Sequence, residues 1–483
     1  MEKLNLHSML KILFNLIIGI CIILLFYVLY KKEDLTTINL EIAGKNSIEL
    51  QKVIDYYKSN QEQEKLDCAY FLIQNMYGKV SVEYSFLDST GNIMLLDTCS
   101  ALKNPQAIKT IIGKGNFINR SIKSDLEHIT ADFLIENIEL AFEVRKKYSW
   151  CKHLTKKEFY STILPYRVKN EPLSNWRRFY YYKFKDIADS LERNHAKMED
   201  IVFYFNKYHG KKYISNADYL LGEQTYQIVE NMGGGTCDHL ALNAALLFRA
   251  IGIPLNLDVI PYHGKVNGGH AYNSFTNEEK KFIYFSPYER EPERKLWIAP
   301  IVYRIRFKEP VRENVTQYYY KTTCIDLPEK NLCLATFNRG KFKKVMNAET
   351  DAGTSVFKNV ACELLYFPMR ERNDSLIASS TPPFIVNKEG KILYITSSPE
   401  EIISSPIIKL YDAKRILPLR NEPYVLLGWD QGWKEISEKN PCDSTSIDFG
   451  FIPNYGLFLV CGNNRMEKMQ RPFIINEYLQ ECY

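Results

Sequence analysis

Residues 233–300 constrain this chain more tightly than any other stretch, because a helix and three strands open and close there on recognisable signals. Gly233-Gly234-Gly235-Thr236 leads into Cys237, and Leu240, Ala241, Ala244, Ala245, Leu247 and Phe248 then recur at helical spacing. Thr236 is a good N-cap, Gly252 supplies the C-terminal stop, and Pro254 follows two residues later. Leu255, Leu257 and Val259 alternate as a strand. His270-Ala271-Tyr272-Asn273 begins a second strand, Thr276-Asn277-Glu278-Glu279 turns, and Phe282 to Phe285 returns as a third. A helix followed by antiparallel strands is an α+β unit.

The 483 residues exceed what one core holds, so about two to four units are expected. Net charge is only +5 with both signs interspersed, which gives nucleic acid no footprint. Ile12 to Tyr30 is apolar but for Asn15 and is followed by Lys31 and Lys32. Its length predicts an uncleaved single-pass anchor in the cell membrane. Lys3 and Lys11 before it balance Lys31 and Lys32 after it and leave the orientation open, and the soluble part is expected outside the cytoplasm. A processed lipoprotein is the alternative, since Cys21 follows Ile18-Gly19-Ile20, although Ile20 is larger than such a site prefers. The 11 cysteines show no CxxC pairs and imply neither a zinc ribbon nor a dense disulfide framework.

From residue 36 onward the signals are mostly helical. Asn46-Ser47-Ile48-Glu49 reads as a capping box, with Leu50, Val53, Ile54 and Tyr57 at helical spacing behind it. Leu66 to Met76 continues the pattern, and Ile135, Ile138 and Phe142 mark another stripe. Val80, Val82 and Tyr84 alternate before Gly91-Asn92, which suggests a hairpin over 79–97. Pro165 and Pro172 forbid a continuous helix ahead of Trp176-Arg177-Arg178, and helix resumes over 179–207. Trp176, Arg177 and Arg178 fit a structural role between helices better than a groove lining.

The chemistry centres on Cys237. A catalytic cysteine must reach its thiolate, and the first turn of a helix favours S⁻ while offering N–H groups to an oxyanion. Three glycines ahead of it let backbone pass close to a substrate. His270 follows Gly268-Gly269 at a strand start, where an imidazole can serve as base. Asn231 is a further candidate oxyanion donor beside the Cys237 backbone. His239, His263 and Asp258 lack the closely spaced pairs of a metal site, so neither metal nor cofactor is expected. Glu289-Arg290-Glu291 to Arg294 reads as a solvated charge run.

Gly235-Thr236-Cys237-Asp238, Arg249-Ala250-Ile251-Gly252-Ile253-Pro254 and His270-Ala271-Tyr272-Asn273 resemble the core of the transglutaminase-like superfamily, a papain-like Cys–His fold. More loosely, the whole chain resembles exported or membrane-anchored bacterial proteins with this domain. In those, a Leu-Pro-Tyr-Arg…Glu-Pro…Trp-Arg stretch, here Leu164 to Arg177, precedes the core and β-domains follow. The resemblance implies acyl chemistry through a thioester, with Cys237 as nucleophile and His270 as base. The family's third member is an Asp after an aromatic strand. Here Ser286 fills that slot, with Glu289 the alternative if the loop curls back.

After residue 300 strands dominate and a diverged repeat is visible. Leu332 to Phe337 resembles Val425 to Trp429, Phe357 to Phe367 resembles Phe449 to Leu459, and Pro383 to Asn387 resembles Pro472 to Asn476, an offset of about 90 residues. The expected α+β architecture is thus an anchor (1–35), a mostly helical region (36–190), a transglutaminase-like core (191–300) and two sandwich or small-barrel β-domains (301–400 and 401–483), separable near 388–422. The function expected is cysteine-dependent acyl transfer or hydrolysis on a protein, peptide or cell-surface glycan-peptide amide. The alternative is an inactive scaffold whose β-domains grip glycan or protein.

Overall fold

The computed structural model describes residues 14–20, 35–87, 90, 118–213, 222–287, 297–351, 353–412, 415–462, 471–476 and 479–483. Helix and strand occur in equal measure among them. The expected anchor is corrected: no helix among the described residues is long and apolar enough to cross a membrane. Of the apolar run, 14–20 is helical, about 10 Å at ~1.5 Å per residue against the ~30 Å of a hydrocarbon core, and the rest lies outside the described residues. The membrane partner, the cell-membrane location and the transmembrane element of the fold class fall with it.

Two compact units make up the chain. The first is Met1–Asn256 with Phe275–Lys281 and Arg306–Val311; the second is Leu257–Ser274, Phe282–Ile305 and Arg312–Tyr483.

In the first unit the helix Cys237–Ala250 is buried at every residue from His239 to Ala250, as an apolar helix without a wet face must be. It ends in a Schellman pair: Ile253 N–H donates to Phe248 O (2.9 Å) and Gly252 N–H to Arg249 O (3.2 Å). The helix Trp176–Arg193 packs on it through Tyr180, whose hydroxyl donates to Asn243 Oδ1 at 2.6 Å. Helices Ser47–Ser59 and Ala131–Lys147 complete the layer, with Leu50, Val53, Ile54 and Tyr57 buried as their spacing requires. The capping box at Asn46 does not form. Asn46 Nδ2 instead donates to Leu126 O and Ile129 O, both at 2.9 Å, and Glu49 accepts the Ala131 N–H at 2.9 Å, so two local caps became ties to a distant helix start. The strand Val80–Phe86 exists but pairs antiparallel with Ile118–Ser124, and the Gly91-Asn92 turn lies outside the described residues.

The two prolines sit in an irregular segment held by several side-chain hydrogen bonds to its own backbone and to neighbouring helices. Arg177, buried, donates to Asn137 Oδ1 (2.7 Å), Ile163 O (2.6 Å) and Pro165 O (3.0 Å), and Trp176 Nε1 donates to Tyr166 O (2.7 Å). Arg167 pairs with the fully buried Asp125 at 3.1 Å. The Leu164 to Arg177 stretch is therefore a buried brace.

The second unit begins with a five-stranded sheet in the order Phe282–Phe285, His270–Thr276, Asn256–Ile260, Tyr303–Ile305, Arg312–Asn314. Asp258, fully buried in it, accepts from Arg304 Nε (2.8 Å), Ser274 Oγ (2.6 Å) and Tyr319 OH (2.6 Å), which consumes its lone pairs. Two sheets whose five main strands follow the same order come next, the first with Ser375–Ala378 paired on Leu364–Arg372 as a sixth strand. One runs Lys341–Asn347, Cys333–Asn338, Leu364–Arg372, Phe384–Val386, Ile392–Tyr394; the other Trp433–Lys439, Tyr424–Trp429, Phe458–Gly462, Phe473–Asn476, Leu479–Cys482. Both leading hairpins also break register, the first after its second pair at Leu334/Ala335 and the other after its third at Leu426/Leu427.

The two repeats pack together. Besides its own core, each contributes to a common one: Ala335, Phe337, Leu365 and Phe367 meet Trp429, Leu457 and Leu459. Trp429 lies 5.5 Å from Phe342 and 5.1 Å from Phe367, ring centre to ring centre and edge-on. Two sheets sharing an apolar face in this way are consistent with a β-sandwich.

Candidate functional site

Cys237 is the first residue of the central helix of the first unit, directly after the cap Thr236, and is half-buried. The cap is a variant of the capping box with histidine in the Glu position. His239 Nε2 lies 2.8 Å from Gly222 O, an acceptor only, so Nε2 carries the proton and Nδ1 accepts. Nδ1 sits 2.9 Å from Thr236 Oγ1 and 3.4 Å from Thr236 N. Burial lowers the His239 pKa, keeping the ring neutral for this role. The expected purpose of the glycines changes accordingly: a Cβ on Gly235 would come 2.9 Å from His239 Cβ, so this glycine makes room for the capping ring. Beside the thiol, Asp238 is exposed, and its carboxylate lies 4.0 Å from Cys237 Sγ. Lys169 Nζ stands 3.7 Å from Asp238 and 2.6 Å from Glu223. Burial works against the Lys169 charge, but the two carboxylates outweigh it and hold its pKa above the ordinary value. Asn231 lies on the helix Tyr226–Met232 with its side chain exposed.

His270 opens its strand in the second unit, half-buried, with Nε2 2.9 Å from Ser286 Oγ. Ser286 itself is 6% exposed, so water competes little for that hydroxyl. Tyr272 meets the imidazole edge-on at 4.5 Å and is backed by Tyr284 at 5.6 Å. Gly269 is obligatory here: a Cβ would lie 2.4 Å from Ile260 O and 2.6 Å from Pro261 O. A second imidazole, His263, is centred 6.4 Å from His270 and packs on Trp297 at 4.9 Å. Burial, then the positive charge of His270, pushes its pKa down to about 4.

Of the residues singled out in the sequence, His270 and Ser286 are hydrogen-bonded to each other, Cys237 opens the helix, and Glu289 lies outside the described residues. His239 was legible as a helix residue but not as a cap, because the N3 position of that motif normally carries Glu or Gln. No family model matches the chain, and no curated protein matches it.

Proposed function

We propose that the chain is a thiol acyltransferase or hydrolase of the transglutaminase-like type, acting on a peptide or other amide. Cys237 is the nucleophile, His270 the base and then the acid, and Ser286 the residue that orients the ring. The observation that carries the reading is the His270 Nε2–Ser286 Oγ bond of 2.9 Å. It engages Nε2, so proton transfer falls to Nδ1. Nδ1 takes the thiol proton, and the sulfur attacks the amide carbon while helix-start N–H groups stabilise the oxyanion. The imidazolium returns the proton to the departing amine, leaving a thioester, and water or a second amine then releases the acyl group. Because Ser286 is neutral, it orients the ring without stabilising its charge as a carboxylate does. That one feature favours the second reading, a binding protein built on an inactive Cys–His core.

The test is alkylation of the full chain with iodoacetamide across pH, read peptide by peptide. Cys237 should react at neutral pH faster than the exposed Cys324 and Cys442, and His270→Ala should slow it towards them. Cys68 and Cys151, whose thiols burial pushes up to about 12, set the unreactive limit. A Cys237 profile indistinguishable from that of Cys324 and indifferent to His270 leaves the binding-protein reading standing.

A further inference from the structure

We propose that Asn338, seconded by Arg471, is a positioning residue for His270: the β-repeats clasp the loop that delivers the imidazole. The inference rests on the reading of His270 as the base. Residues 261–269, ahead of His270, form neither helix nor strand. An irregular loop must still find partners for its buried backbone groups. His263 N–H donates to Gly268 O at 2.9 Å within the loop, and Gly264 N–H to Ile298 O at 2.8 Å.

Further bonds come from the β-repeats. Asn338 ends the strand Cys333–Asn338 and is 2% exposed. Its Oδ1 accepts the Gly268 N–H at 3.0 Å, and its Nδ2 stands 3.2 Å from each of His263 O, Val266 O and Gly268 O. A carboxamide offers this loop an acceptor and a donor at one point; a carboxylate would face three carbonyls, and an apolar residue would take this partner from all four groups. The next residue continues the grip, Arg339 N–H donating to Asn267 Oδ1 at 2.8 Å. Arg471, buried, donates to Gly264 O and Phe337 O together, and so ties the loop to the strand that carries Asn338. The clasp ends two residues from His270, and Gly269 between them is wedged against Ile260 O and Pro261 O. Displacement at Gly268 therefore has no slack in which to dissipate before it reaches the ring, and small misplacements of a catalytic group cost rate steeply.

The full chain is compared as wild type, Asn338→Ala, His270→Ala and the double variant, by NMR titration of His270 and by Cys237 alkylation. Asn338→Ala should displace the His270 titration by several tenths of a pH unit and slow alkylation by roughly threefold or more. In the His270→Ala background it should have no further effect, since it acts through that ring. An unchanged His270 titration in a variant whose melting temperature has fallen overturns the proposal, leaving Asn338 as a stabilising contact only. Should Asn338→Ala not fold, Asn267→Ala removes one bond of the same clasp, and an unchanged His270 titration there overturns the proposal equally. If His270→Ala alkylates like wild type, the acyl-transfer reading fails, while the titration still decides the clasp.

Discussion

Ser286 is where a single substitution says most. In Ser286→Ala the imidazole loses its 2.9 Å partner and nothing else changes in volume beyond one oxygen. A neutral hydrogen bond contributes about 1 kcal/mol net. Since each 1.4 kcal/mol is tenfold in rate, the variant should alkylate Cys237 about fivefold more slowly at neutral pH. At 6% exposure no bulk water replaces the hydroxyl freely, so the loss should not be made good by solvent. Ser286→Asp works in the opposite sense. A carboxylate forms a charge-assisted bond about twice as strong and stabilises imidazolium, but its burial takes back much of that gain, so Cys237 reactivity should rise or stay level. The assay is iodoacetamide labelling from acid to alkaline pH, quantified by peptide mass spectrometry against Cys324 and Cys442, with melting curves to exclude unfolding. Ser286→Ala that labels at the wild-type rate across the whole range refutes the reasoning, because the bond would then do nothing for the ring.

Two further outcomes concern stability. Trp429→Ala, in the core common to both repeats and 7% exposed, should cost about 3–5 kcal/mol in urea unfolding, and proteolysis of the wild type should spare 388–422; two stable pieces cut there contradict the common core. His263 titrates near 6.5 unfolded but only at about 4 folded, with His270 and Arg471 facing it. As pH falls from 6.5 to about 4 the unfolded chain binds a proton that the folded chain refuses, so stability present above 6.5 is lost across that window and levels off below it. The span is about 3 kcal/mol, and His263→Phe should flatten this part of the pH–stability curve; an unchanged slope rejects the assignment.

What could be read from the sequence was what neighbours in the sequence decide. The start and stop of the helix Cys237–Ala250, the strand starting at His270 and the buried stripe Leu50 to Tyr57 are all set within a few residues of one another. The matching strand orders of the repeats followed from their shared hydrophobic pattern. Failures came where a distant partner outbid a local one. Asn46 fits a capping box, but Leu126 and Ile129 claim its amide. Apolar residues from Ile12 to Tyr30 give hydropathy its strongest signal, yet hydropathy measures transfer preference and not helix length, and no described helix spans a bilayer. Asn338 and Arg471 had no local signal at all, being ordinary residues on or beside β-strands whose partners lie in a loop far upstream.

The bond from Arg471 to Gly264 joins residues 207 positions apart. A ribosome makes Cys237 and His270 long before it makes Arg471, and chains begin to organise from the end that emerges first. A nascent chain therefore carries the His270 loop for much of its synthesis not yet fastened at that point. Closing so long a loop is slow compared with forming the helix around Cys237. The order of synthesis thus leaves the His270 loop to be fixed only once the last sheet has been laid down.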